Sequence, residues 1–152
     1  MPRVQLRDVE PEDLPLFFEH QRDPIAVAMV AFCSRDRAAF DQHWAKCLAD
    51  KTSLIKTVVV DGEVAGNIVS WLSDGQREIG YWLDRVFWSR GIATAALSAF
   101  LRLEKTRPLH AGVAKHNAAS IRVLQKCGFT PVDSADTESP DAATHVLLML
   151  EL

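Results

Sequence analysis

The sequence predicts one α+β domain over residues 1–152, with a mixed, mostly antiparallel sheet of about seven strands and about four flanking helices. Three observations predict it. The chain has 152 residues, the size of one ordinary domain. Its first half carries short β-type runs joined by the tight-turn pair Asp61-Gly62. Its second half alternates strand, helix, strand and helix before two closing strands.

Each element has its own signal. Val4-Gln5-Leu6-Arg7 alternates apolar and polar residues and reads as an opening strand. Glu10-Pro11-Glu12-Asp13 starts a helix with acids in its first turn, running through Leu14, Leu16, Phe17 and Phe18. Residues 24–34 are ambiguous. Ser34 or Asp36 caps a second helix with Ala39, Phe40, His43, Trp44 and Cys47 on one side. Residues 57–60 and 63–70 flank Asp61-Gly62 as a hairpin. Glu78-Ile79-Gly80-Tyr81-Trp82-Leu83 is a further strand.

From Gly91 to Thr106 the chain turns helical, with Ile92, Ala95, Ala96, Ala99, Phe100 and Leu103 apolar. Leu109 to Val113 is a short strand. Asn117-Ala118-Ala119-Ser120 opens a helix that Gly128 stops, with Phe129 placed to pack back on it. Residues 130–132 and 144–151 are the closing strands around a polar loop.

Composition excludes several classes. Hydrophobic residues make up 48% and charged residues 24%, a balance that argues against disorder. No apolar run approaches the ~18 residues of a membrane span, and the N-terminus has no signal-peptide core. Cys33, Cys47 and Cys127 are odd in number and form no Cys-x-x-Cys pair, so neither a disulfide framework nor a thiolate metal cage is expected. The five histidines lack metal spacing, and no metal is expected. The expectation is a soluble, reduced, cytoplasmic protein without a membrane partner. Nothing excludes a homodimer.

Charge is unevenly spread. Residues 85–126 hold eight basic side chains and one acid, so this segment is +7 within a chain of net −3, leaving −10 elsewhere. A solvated helix face would look the same, but the pattern also suits a locally held anion and a cationic second partner. Long nucleic acid fits poorly with the acidic remainder.

Two stretches carry the chemistry. Trp88-Ser89-Arg90-Gly91-Ile92-Ala93-Thr94 joins a strand to a helix, where small residues and the helix start suit a pyrophosphate, although one glycine by itself also suits a plain turn. Asn117 to Phe129 places Ser120 in the first turn of a helix that Asn117 can cap. Glu78 is a candidate general base, acting directly or through water; it also reads as a strand-edge carboxylate paired with Arg77. Cys127 lies at a helix C-terminus, where the dipole disfavours a thiolate nucleophile.

Together the pieces Glu-Ile-Gly-Tyr-Trp-Leu at 78–83, Trp-x-x-Gly-Ile-Ala-Thr at 88–94 and Asn-x-x-Ser-x-x-x-Leu-x-Lys-x-Gly-Phe at 117–129 resemble the GNAT superfamily of acyl-CoA-dependent N-acyltransferases. They are most similar to its branch that acetylates ribosomal-protein N-termini. The resemblance implies a strand ending at Leu83 that splays from the strand at 109–113, with acetyl-CoA in the slot. The pantetheine arm would pair with the backbone of Leu83, Asp84, Arg85 and Val86. An N–H near Leu83 would polarise the thioester carbonyl. Amides of Gly91, Ile92, Ala93 and Thr94 would cradle the pyrophosphate, with Arg90 and Lys126 supplying charge and Asn117 bonding the arm.

Many relatives carry a tyrosine that protonates the departing thiolate. Leu124 stands there, and Ser120 is the substitute donor, also placed against the cofactor. Trp88, Ser89 and Arg85 depart from the family's more usual Gln or Arg, Gly and Pro, which bears on the loop's backbone path.

The reaction implied is direct attack of a primary amine on acetyl-CoA in a ternary complex. The amine is a protein N-terminus or a small molecule. A catalytically silent acyl-CoA-binding module is the alternative, and a nucleotide-binding enzyme a third reading. The acceptor pocket is expected from residues 14–45 and 133–143, where Phe32, Phe40 and Trp44 line it or fill the core.

Overall fold

The computed structural model describes residues 2–30, 35–132 and 145–151. Its seven-stranded sheet has the order β1-β2-β3-β4-β5-β7-β6. The strands are β1 (Val4–Asp8), β2 (Leu54–Val60), β3 (Glu63–Ser73), β4 (Gln76–Leu83), β5 (Leu109–Ala114), β6 (Thr130–Pro131) and β7 (His145–Leu150). The helices are α1 (Leu14–His20), α2 (Pro24–Val30), α3 (Arg37–Ala49), α4 (Ile92–Leu103) and α5 (Ala118–Lys126). Short 3-10 turns occupy Pro11–Asp13 and Arg85–Phe87.

The expected α+β sheet is present, with five α-helices among the described residues rather than about four. The extra one, α2, falls in the ambiguous stretch. Asp23 starts it, accepting from the Ile25 N–H at 3.1 Å, and Pro24 sits at its first position, where no N–H is needed. Asp36 caps α3 by accepting from Ala39 N–H at 2.8 Å; Ser34 lies outside the described residues. Ala39, expected on the packed side of α3, is exposed, while Phe40 and Trp44 are buried.

Alternation along the strands separates two cores. On one face, Val58, Ile68, Ile79, Leu109 and Leu148 pack with Ile92, Leu97 and Phe100 of α4 and Leu124 of α5. On the other, Phe17 of α1 and Phe40 and Trp44 of α3 pack over Ile55, Val64 and Val69. The turn at Asp61-Gly62 has φ of 50° and 84°, both positive, as a two-residue hairpin turn with right-handed strands requires. Asp74-Gly75 repeats it with φ of 49° and 77°, which lets β3 and β4 run on to Ser73 and Gln76. At the end of α5, Phe129 N–H donates to Leu124 C=O and Gly128 N–H to Gln125 C=O, each at 3.0 Å, and Phe129 is buried as expected.

The pairing that matters most is the shortest. β4 and β5 run parallel and pair only at Arg77–Leu109 and Glu78–His110. Beyond that, β5 pairs with none of Ile79 to Leu83, so the two strands part as a fork.

A buried ionic cluster ties down the fork's closed end. Glu104, at the end of α4, is 6% exposed. It accepts from Ser70 Oγ at 2.6 Å and Thr106 N–H at 3.1 Å, and pairs with the Arg77 guanidinium at 3.2 Å. Burial alone pushes this carboxyl up, but the bonds from Ser70 and Thr106 and the Arg77 charge outweigh it and hold it below the ordinary range.

Breaking this cluster has a measurable cost. Glu104→Gln is expected to lower unfolding free energy by about 3 kcal/mol, read as a lower urea midpoint with unchanged slope. The carboxylate's contribution is present at neutral pH, above its unfolded value near ~4.3, and is lost as pH falls through its lower folded value. The acid limb of stability should therefore be shallower in the variant than in the parent.

Candidate functional site

The fork opens into two cavities. The larger, of about 790 Å³, is lined by Phe17, Phe40 and Trp44 from the helical face, by Trp71 and Gly80 from β3 and β4, and by β5 residues Ala111 to Ala114. The smaller, of about 500 Å³, lies between β4, the start of α4 and the first turns of α5. Tyr81, Trp82, Asn117 and Ser120 line both. They form the partition that the two cavities share.

Backbone direction decides what the fork offers a ligand. Asp84 N–H donates to Ala65 C=O on the β3 side at 2.8 Å. Strand alternation therefore points the N–H and C=O groups of Leu83 and Tyr81 at the fork. Leu83 C=O takes its hydrogen bond from Trp88 Nε1 at 3.0 Å, not from a strand. An extended ligand carrying amides can occupy such an edge as an added strand.

The start of α4 is shaped for close approach. Gly91 caps it with φ of 75°, and Ser89 reaches φ of 61°. Ser89 is thus a serine held in a left-handed conformation that glycine adopts more easily, which is the physical content of that departure from the family pattern. Gly91, Ile92, Ala93 and Thr94 all line the smaller cavity, as do Leu83, Asn117, Ser120 and Lys126. The twelve-residue α4 adds the partial positive charge of its N-terminus. Arg122, which the sequence reading did not single out, joins Lys126 there.

Other expected residues are placed elsewhere. Arg85 pairs with Asp23 at 2.8 Å. Asp84 faces His20 at 3.7 Å and accepts from Val86 N–H at 3.4 Å. Val86 is 67% exposed, and the Arg90 guanidinium lies 5.7 Å from the Phe87 ring centre. None of these four lines either cavity. Glu78 also lines neither. It stands at the closed end of the fork beside its register partner His110. Asn117 takes the ordinary role open to it, its Oδ1 accepting from Ser120 N–H at 3.2 Å as the cap of α5, while also lining both cavities.

Two features were not anticipated. Tyr81 places its hydroxyl 2.6 Å from Ser120 Oγ across the fork. Burial raises the phenol's pKa, and the bond to Ser120 draws it partly back. The signal was present, because a two-residue period puts Tyr81 and Leu83 on one face of β4. Second, α2 reaches both lips of the fork. Its leading Asp23 binds Arg85, and its Ala28 C=O lies 2.8 Å from His116 Nε2 on the β5–α5 connection. Ala26 and Met29 of α2 line the smaller cavity.

Within residues 14–45, Phe17, Gln21, Arg35, Phe40, His43 and Trp44 line the larger cavity. Phe40 and Trp44 serve both as core and as lining. Phe32, Cys33 and residues 133–144 lie outside the described residues. Burial lowers the His43 pKa, as do the Arg35 and Lys46 charges, and favours a neutral ring. Cys127 packs against α4, its Sγ 3.6 Å from Ser98 Oγ, and lines neither cavity. Among the described residues no cluster of metal-ligating side chains occurs, and no helix is long and apolar enough to cross a membrane.

Comparison with known proteins gives the same architecture. A family model described as an acetyltransferase (GNAT) domain matches residues 3–130. The fold is similar to an acetyltransferase from Thermus thermophilus, at 19% identity and a TM-score of 0.79, covering 98% of this chain and 97% of that one. It is similar to the aminoglycoside acetyltransferase AAC(6')-Ib in complex with coenzyme A, at 18% identity and a TM-score of 0.80, covering 98% and 95%. An acetyltransferase from Agrobacterium tumefaciens str. C58 matches at 20% identity and a TM-score of 0.81, covering 99% and 91%. No protein of curated function matches the chain in sequence.

Two glycines separate strain from space. Gly91→Ala is expected to lower unfolding free energy by about 1–2 kcal/mol through its backbone conformation alone, since an added Cβ meets nothing within 4 Å. Gly66→Ala should cost more, because its Cβ would overlap the Trp82 carbonyl oxygen and push the end of β4. Denaturant midpoints of the two variants check the order.

Proposed function

The chain belongs to the GNAT acetyltransferase family and is an acetyl-transferring enzyme; on that premise we propose that it moves the acetyl group of acetyl-CoA to a primary amine, which attacks the thioester directly in a ternary complex. The observation that carries the reading is the fork. One strand end has its backbone turned to an unzipped edge, and two cavities meet there at Tyr81, Trp82, Asn117 and Ser120.

The donor fits the smaller cavity on chemical grounds. When bound it supplies an acetyl thioester. The Leu83 and Tyr81 backbone groups are the partners for its amide-bearing arm. Gly91 to Thr94 and the side chains of Arg122 and Lys126 are the partners for its phosphates. Leu83 N–H, facing the fork, is the donor for charge that grows on the carbonyl oxygen. Asp84, Arg85, Val86 and Arg90 belong to the frame of the loop rather than to its lining.

The amine enters from the larger, aromatic-lined cavity. It must be neutral to attack. A protein α-amine, with a pKa near ~8, needs little help at neutral pH, whereas a lysine near ~10.4 needs more. Glu78 is the proposed base, and its position outside both cavities requires that it act through water. The Ser120 hydroxyl, which the family resemblance implies as the substitute donor, stands at the partition beside that of Tyr81 and is in place to pass a proton toward the thiolate. The resemblance of 78–83, 88–94 and 117–129 to the ribosomal-protein branch supports a protein N-terminus as acceptor.

The test is a panel of amines, including peptides beginning with Ser or Ala, incubated with acetyl-CoA. Thiol release and mass spectrometry of the product are the readouts. The expected result is an N-acetylated amine. Glu78→Ala should lower turnover by about 100-fold, and Ser120→Ala should lower it measurably but by less. Turnover unchanged in both would overturn the residue roles. Tight CoA binding with no thiol release from any amine would favour the silent binding module.

A further inference from the structure

Of the four described residues that line both cavities, only Tyr81 and Ser120 carry hydroxyl groups. They are in hydrogen-bond contact at 2.6 Å, one on β4 and the other in the first turn of α5. The family's usual tyrosine position holds Leu124, which is 2% exposed and has no proton to give. Cys127 is outside the cavities. Building on the acetyltransferase reading, we propose that Tyr81 is the proton donor to the departing thiolate, with Ser120 as the relay that restores it.

Chemistry chooses between the two hydroxyls. An aliphatic hydroxyl holds its proton far more tightly than a phenol, whose ordinary pKa is about 10. Ser120 alone is thus a poor acid, and its hydroxyl is better suited to pass a proton along. Tyr81 has the geometry for the role. It is half-buried, its ring rests against the core, and its hydroxyl reaches the partition between the cavities. The fork makes this arrangement available. Had β5 continued to pair with β4, the Tyr81 backbone edge would be closed and no reacting group would reach the phenol.

In the transfer step the amine nitrogen forms a bond to the thioester carbonyl carbon, and the C–S bond breaks with its electron pair on sulfur. Tyr81 Oη gives its proton to that sulfur. The amide nitrogen, now carrying one proton too many, loses it to water or to the base. A proton returns to the Tyr81 phenolate through Ser120 Oγ. The products are the N-acetylated amine and free thiol, and no oxidant or further reactant is needed.

Two measurements test this, and the second needs no acceptor. With the best amine from the panel, Tyr81→Phe keeps the ring and removes the proton. It is expected to lower kcat by at least ~100-fold while leaving the KM for acetyl-CoA and the CoA-bound melting temperature near the parent values. Ser120→Ala should lower kcat less. A Tyr81→Phe enzyme with parental kcat, or one that turns over faster than the Ser120→Ala enzyme, overturns the proposal.

Tyr81 is also the chain's single tyrosine, so the tyrosinate ultraviolet band reports on it alone. CoA should shift the titration of that band, whereas a CoA analogue lacking the sulfur should not. If both ligands act alike, the phenol is not at the sulfur and the proposal fails. Thiol release by the parent enzyme decides the transferase reading separately, so the two failures are distinguishable.

Discussion

The parallel ladder between β4 and β5 stops after Glu78 and His110, and the functional architecture follows from that stop. A parallel pair normally continues until one strand ends. Here both strands run on, β4 to Leu83 and β5 to Ala114, without each other. The fold tolerates the gap because each side finds other partners. β4 is held along its whole length by β3, β5 by β7, and the Leu83 carbonyl by the Trp88 indole. At the closed end, Glu104, Ser70 and Arg77 lock the end of α4 to β3 and β4. The fork is therefore a stable feature of the packing, bounded by a buried ionic cluster, and not a frayed edge.

The proposed chemistry concentrates where the two cavities meet. Asn117 has one role in the helix, as its cap, and another as cavity wall. Tyr81 likewise belongs both to the core margin and to the partition. Such double use links stability to activity. In the proposed reaction, the residues that stiffen α5 and the end of β4 would also place the reactive atoms, so preorganisation would come with the fold. The positive segment at 85–126 is only partly spent on the cavity. Arg122 and Lys126 line it, while Arg85 binds Asp23 and Arg90 lies over Phe87.

Much of this was legible in the sequence. Asp61-Gly62, Asp36, Asn117 and Gly128 act locally, through turn geometry and caps, and local rules place them correctly. Asp74-Gly75 carried the same hairpin signal and lengthens β3 beyond its expected end. The strands follow from short β-type runs and turn signals, with clear alternation in the first of them. What could not be read was set by tertiary placement. α2 depends on Asp23 and Pro24 and on contacts 88 residues away at His116. Glu78 sits outside both cavities because β4 and β5 are still joined at its position, a fact of register that spacing does not carry. Arg85 and Arg90 face other partners because side-chain direction in a short 3-10 turn has no periodic signal. Tyr81 was visible inside its motif, yet its partner lies 39 residues on, and only folding brings the two hydroxyls together.

Amide hydrogen exchange with and without CoA is the most direct test that the fork is the donor's seat. The N–H groups of Tyr81 and Leu83 should exchange readily in the free protein and become protected when CoA binds, as expected for an edge that acquires a strand-like partner. Protection that appears elsewhere, with those two amides unchanged, would contradict the account.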